Sequence, residues 1–196
     1  DYSTGHYGAS EPTDILYLPV TLKAAKGPLT LRMDVSWIHI SGPAILLDAG
    51  TVDPTLAGVR TAGAAAGPGD VHVYGTYSLE SLYDRGWFID LTARVKMPTA
   101  SFRKGLGTGA WDEAAQVDVA KTLGDFMPFA QLGYRLTGSP AGFQLRNVFY
   151  GSAGVQYTWT SSTAIGLSYD IRQTALRTAH TPQEGTAYVN YRFSPH

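Results

Sequence analysis

Residues 29–40 read LTLRMDVSWIHI. Leu29, Leu31, Met33, Val35 and Trp37 fall on odd positions, with Thr30, Arg32, Asp34 and Ser36 between them. A period of two is the mark of a β-strand with one apolar and one polar face. The fold turns on which face meets water. In a soluble sandwich or lipocalin-like barrel the apolar face is the core. In a transmembrane barrel it meets lipid, and Arg32 and Asp34 point inward.

The same alternation recurs along the chain. DILYLPVTLKA (14–24), VHVYGTYSLE (71–80), GWFIDLTARVKMP (86–98) and AAQVDVAKTL (114–123) show it. So do FMPFAQLGYRLT (126–137), NVFYGSAGVQYTW (147–159), TAIGLSYDIRQ (163–173) and GTAYVNYRF (185–193). With the opening stretch, and DYSTGHYG as the end of one more, this predicts about ten strands, each long enough to cross a bilayer at a tilt. The connections sort by length. AAKGP (24–28), SLYDRG (81–86), LGDF (123–126) and TSS (160–162) are short; 41–70, 99–113, 138–146 and 174–184 are long. Short and long take turns, as in outer-membrane barrels, and a soluble meander has no reason to sort its loops by end.

Composition agrees. Charged residues are 16% of the chain, against about 25% in soluble domains. Aromatics reach 12%, with 12 Tyr, and there are 22 Gly, which suits lipid-facing surface and many tight turns. A net charge of −1 and the lack of a basic cluster exclude a nucleic-acid groove. The absence of Cys excludes disulfides and thiolate metal sites. No apolar run is long enough for a transmembrane helix. No signal peptide leads the sequence, which is read as a mature or trimmed chain. The expectation is one all-β domain over 1–196, a transmembrane antiparallel up-and-down β-barrel with 41–70 as a long external loop.

Strand direction then places the aromatics. Trp87, Phe126, Tyr157, Trp159, Tyr191 and Phe193 fall near the short-turn end, and Trp37, Tyr134 and Tyr169 near the long-loop end, the positions of interfacial girdles. The polar face carries Arg32, Asp34, Tyr74, Asp90, Arg94, Lys96, Asp118, Arg135, Asp170, Arg172 and Tyr188. An Arg or Lys facing lipid at mid-depth costs about 2–4 kcal/mol, so these residues are expected to line the lumen and form its constriction. Arg94, Lys96, Asp118, Arg135, Asp170 and Arg172 are placed in its outer half. Arg94 is expected to face Asp118 across a hairpin, and Arg32 to pair with Glu80.

Several runs carry a family likeness. DYSTGHYGASEPTDILYLPVTL has Tyr2, Gly5, Tyr7 and Gly8 ahead of a strand containing Pro19. GPGDVHVYGTYSL has Gly67, Gly69, Asp70 and Tyr77. VKMPTASFRKGLGTGAWDEAAQVDV has Lys96, Pro98, Thr99, Gly105, Gly107, Thr108, Gly109 and Asp112, and LGYRLTG and LSYDIR follow in order. Together they resemble the outer-membrane proteins of the MetA-pathway phenol-degradation family, over nearly the whole chain. Ala100 stands where that family has Gly. Its members continue past YRFSPH with another hairpin, which would make about twelve strands. The resemblance implies a Gram-negative outer-membrane location and porin-like transport of small hydrophobic or aromatic molecules. The partners it implies are membrane lipid, lipopolysaccharide and the solute.

Other chemistry is weaker. GLGTG (105–109) lacks the following helix and Lys-Ser/Thr of a phosphate cradle and reads as an external loop. His39 sits on the lipid side, without a serine partner on its face, so an outer-membrane lipid-modifying enzyme is the least favoured class. No catalytic residue and no cofactor is expected. His6, His72, His180 and His196 have no metal-ligand spacing. Asp48, Asp53, Asp112 and Glu113 are acids of the kind a surface Ca²⁺ needs, but they are read as ordinary solvated loop acids, and no metal site is expected. The alternative to a channel is a plugged barrel serving as a scaffold, with 41–70 contacting an envelope protein or a second copy.

Overall fold

The computed structural model describes residues 2–6, 11–42, 45–48, 51–53, 63–139, 144–175 and 181–193. The strands are β1 (Tyr2–Gly5), β2 (Thr13–Lys26), β3 (Leu29–Ser41), β4 (Ile45–Asp48), β5 (Thr51–Asp53), β6 (Ala64–Pro68) and β7 (Val71–Ser78). They continue as β8 (Trp87–Met97), β9 (Asp112–Lys121), β10 (Phe126–Thr137), β11 (Val148–Thr160), β12 (Thr163–Arg172) and β13 (Gln183–Tyr191). One antiparallel sheet runs β1-β2-β3-β7-β8-β9-β10-β11-β12-β13, with β6 also on β3. The protein is therefore all-β and up-and-down.

The ten-membered path matches the number of strands expected from the alternation. β6 and β7 form one stave interrupted at Gly69–Asp70. β7 pairs with the first half of β3 (Leu29↔Tyr77 to Asp34↔His72), and β6 with the second (Trp37↔Pro68 to Ser41↔Ala64). Across the break the Gly69 N–H donates to the Ser36 carbonyl at 2.9 Å. This corrects the long loop expected over 41–70: Ala64–Pro68 belong to the wall, and Ile45–Asp48 and Thr51–Asp53 form a separate hairpin.

The sorted connections are present. Three short turns hold a glycine at positive φ (Gly27 at 55°, Gly86 at 70°, Gly124 at 61°), a conformation that penalises any Cβ. Glu80–Arg85 adds a short 3-10 helix at that end. β1 and β13 do not pair with each other among the described residues, so the sheet curls but is not closed.

The buried face is the polar one. Leu18, Val20, Leu22, Leu31, Leu132, Leu167 and Val189 are each at least half exposed, while Lys96, Asp112 and Thr108 are at most 2% exposed. A soluble sandwich would have the reverse, and among the described residues no second layer covers the Leu/Val face.

Candidate functional site

Cross-strand partners share a face, so register sorts the inner side chains into rows. Nearest the long-loop end, Asp34, His72, Lys96, Asp112 and Thr137 form the first row. The second is Arg32, Tyr74, Arg94, Ala114, Arg135 and Val148. The third is Thr30, Thr76, Thr92, Gln116, Gly133, Tyr150 and Arg172. The fourth is Ser78, Asp90, Asp118, Gln131, Ser152, Asp170 and Glu184. Tyr188 lies further down, opposite Gly166. All eleven residues expected on the inner face are on it. The aromatics expected to form girdles, Trp37, Trp87, Phe126, Tyr157, Trp159 and Tyr191, have the opposite parity, with Phe193 just beyond β13 and 93% exposed. Phe126 packs on Tyr157 and Tyr191 on Phe193, each with ring centroids 4.9 Å apart.

Three inner glycines sit beneath inner rings. Gly133 faces Tyr150, Gly154 faces Phe129 and Gly166 faces Tyr188; a Cβ at any of the three would enter the ring above it. The rings therefore lie along the wall and leave the space inside it open.

At the long-loop end the β8–β9 connection folds inward. Leu106 packs with Ile15, Ile38, Ile40 and Ala100, against Tyr17 and Ala65. Gly67 makes room: a Cβ there would lie 3.0 Å from Leu106 Cδ1. The loop is pinned by a buried ion cluster. Lys96 Nζ lies 3.1 Å from Asp112 and 3.6 Å from Asp70, and donates to Thr108 Oγ1 at 2.7 Å. Asp70 accepts the Ala100 N–H at 2.9 Å, and Asp112 accepts the Gly138 N–H at 2.9 Å. Thr99 Oγ1 accepts the Val71 N–H and donates to the Gly69 carbonyl. Gly107 is required, since a Cβ would lie 2.7 Å from both Ala100 Cβ and Asp70 Oδ2. Gly69, Asp70, Lys96, Thr99, Gly107, Thr108 and Asp112 thus build this pin.

Several expectations are corrected. Lys96 faces inward but is 0% exposed, so it holds the loop and does not meet a solute. GLGTG is not external: residues 105–108 are buried within the fold. Asp112 is not a solvated loop acid: it is 2% exposed and a salt-bridge partner of Lys96. Asp118 lies in the short-turn half of β9, opposite Asp90, and accepts from Gln116 Nε2 at 2.8 and 2.9 Å. Arg94 stands opposite Ala114 instead. Nor does Arg32 reach Glu80. Its Nε is 3.3 Å from Asp34, which also accepts from Thr21 Oγ1 at 2.8 Å, and its guanidinium stacks 3.7 Å from the Tyr74 ring centroid.

Beside the inward loop a cavity of about 350 Å³ remains against β7–β13. Tyr74, Arg94, Arg135, Asp170 and Arg172 line it, as does Glu184. Glu184 lies outside the sequence expectation, whose alternation starts at Gly185, while β13 begins at Gln183. Gln116 and Gln131 complete the polar floor; their Oε1 atoms accept from Tyr150 Oη at 3.1 Å and Ser152 Oγ at 3.3 Å. His39 faces outward and His6 is exposed. His180, His196, Tyr7 and Gly8 lie outside the described residues.

The site is thus a charged cavity on the enclosed face of a single antiparallel sheet. No family model matches the chain, and no curated protein matches it.

Proposed function

We propose that the sheet is the wall of a bacterial outer-membrane barrel and that its inner face passes small solutes. One observation carries the reading: the face exposed to the surroundings is apolar and the enclosed face is charged. Burying the outer leucines and valines in lipid is worth about 25 cal/mol per Å² of apolar surface. No described helix is long and apolar enough to cross a membrane, so strands would do the spanning. The aromatics near both ends suit the two interfaces. The polar cavity favours polar solutes over the hydrophobic or aromatic ones implied by the family likeness. That likeness supports the location more than the cargo.

A second reading is favoured by the inward loop. Leu106 and the Lys96 cluster fill one side of the interior, as they would in a plugged barrel acting as a scaffold. Single-channel recording of the detergent-folded protein in a planar bilayer separates the two. Discrete conductance steps, with ion selectivity altered by Arg94→Ala and Arg135→Ala together, are expected of the channel. Protein shown to be inserted but silent would leave the scaffold.

A further inference from the structure

The inner charges are layered. The second row holds Arg32, Arg94 and Arg135 and no carboxylate; the fourth holds Asp90, Asp118, Asp170 and Glu184 and no cation. Neighbouring rows are two residues apart along each strand, so the second and fourth are four residues apart, about 13–14 Å of rise, with the third between them. A charge network that only filled space would mix signs within each row, because like charges side by side are unfavourable. Here the signs are separated, and the cavity opens across the gap, lined by Arg94 and Arg135 from one row and Asp170 and Glu184 from the other.

The arginine wall is shaped for a carboxylate. Arg94 and Arg135 both stand opposite Ala114 on the strand between them. Two strand spacings set their backbones about 9–10 Å apart, and the single methyl of Ala114 leaves a recess there. Guanidinium N–H groups match a carboxylate in charge and geometry. The acid wall is shaped for a donor: Asp170 and Glu184 are cross-strand partners. Arg172, in the row between, adds a third guanidinium to the cavity.

We infer that this cavity binds a small zwitterion of the α-amino-acid type, its carboxylate between Arg94 and Arg135 and its ammonium toward Asp170 and Glu184. The inference rests on the proposed function in that the cavity must be reachable from water. A plain anion meets the acid row, and a plain cation meets the arginines. A zwitterion satisfies both. Its charges sit on neighbouring atoms of one carbon, so with a charge-assisted hydrogen bond of about 2.8 Å at each end it covers roughly 8 Å, and the rest of the gap is left to the reach of the Arg and Glu side chains that line the same cavity.

Three probes of nearly one size test this on the detergent-folded protein by calorimetric or NMR titration. They are L-alanine, propanoate, which lacks the ammonium, and ethylamine, which lacks the carboxylate. L-alanine is expected to bind at least about tenfold more tightly than either, a modest return for two charge-assisted contacts. Arg94→Gln with Arg135→Gln should weaken L-alanine at least about tenfold and leave ethylamine no weaker, since the guanidiniums that repel a plain cation are gone. Asp170→Asn with Glu184→Gln should bring L-alanine down to the level of propanoate. Arg85→Gln, at the short-turn end, should change nothing. L-alanine binding no better than propanoate or ethylamine overturns the inference, and that comparison needs no variant to fold. L-alanine binding by a protein that is silent in bilayers keeps the site and removes the channel. Conductance indifferent to L-alanine, with no binding, does the reverse.

Discussion

Lys96 is fully buried between two carboxylates, and its removal has a calculable sign. Taking a lysine out of water is costly, and here Asp112 at 3.1 Å, Asp70 at 3.6 Å and the Thr108 hydroxyl at 2.7 Å offset that cost. Lys96→Met leaves both acids buried without their cation. The expected loss is about 3–5 kcal/mol, seen as a lower urea midpoint of the folded protein. The triple change Lys96→Met, Asp70→Asn, Asp112→Asn should recover part of it, since no unpaired charge then remains. A Lys96→Met protein as stable as the parent would show that the cluster does not pin the loop. The inner glycines give a second test at the same scale. Gly133→Ala and Gly166→Ala drive a methyl into the Tyr150 and Tyr188 rings. Each should cost about 1–3 kcal/mol, the usual penalty of overpacking. Gly75→Ala is the comparison, because its nearest atom, Leu31 Cδ2, would be 3.8 Å away; its midpoint should barely move. Equal effects at all three positions would mean the rings do not lie on the wall.

Among elements, the β8–β9 loop behaves as an inward strap whose hold depends on Leu106. Leu106→Asp places a charge among Ile15, Ile38 and Ile40 and should release it. Arg103 and Lys104 are exposed on the strap, in the short 3-10 helix Phe102–Lys104. Trypsin needs a locally opened chain, so cleavage after these residues should rise about tenfold or more in the variant, while cleavage after Arg85 stays level. Unchanged cleavage would mean that Leu106 is not the anchor. The strap also marks where sequence reading stopped. Strands were legible because a period of two shows in each segment alone, and parity alone sorted Arg32 to Arg172 onto one face. An inward loop has no period. Leu106 is a lone apolar residue among glycines, and only the shape of the β2–β3–β6 wall makes it a core residue. Lys96 was read onto the right face, but its burial is the loop's doing. The pairing of Arg94 failed for a related reason. Register on β9 begins where the loop ends, and Lys96 opposite Asp112 shifts Arg94 to Ala114. The layering of charge followed only from that register.

For the whole molecule the decisive quantity is the state of the two sheet edges. β1 pairs only with Thr13–Leu16 of β2, so from Leu18 to Lys26 one side of β2 carries no partner strand among the described residues, and the outer side of β13 is equally open. Half of the peptide groups along such a stretch point away from the sheet. In hydrocarbon each unsatisfied group costs several kcal/mol, and open edges do not occur there. A membrane wall must therefore have both edges satisfied once it is in lipid. Hydrogen exchange in phospholipid vesicles reads this directly. The proposed function predicts that the alternate amides of Leu18–Lys26 and of β13 are protected to the level of the central strands β8–β11. Edge amides that exchange at loop rates in vesicles, beside protected central strands, would place those edges in water. The sheet would then not span the bilayer, and its exposed leucines would need a protein surface to cover them.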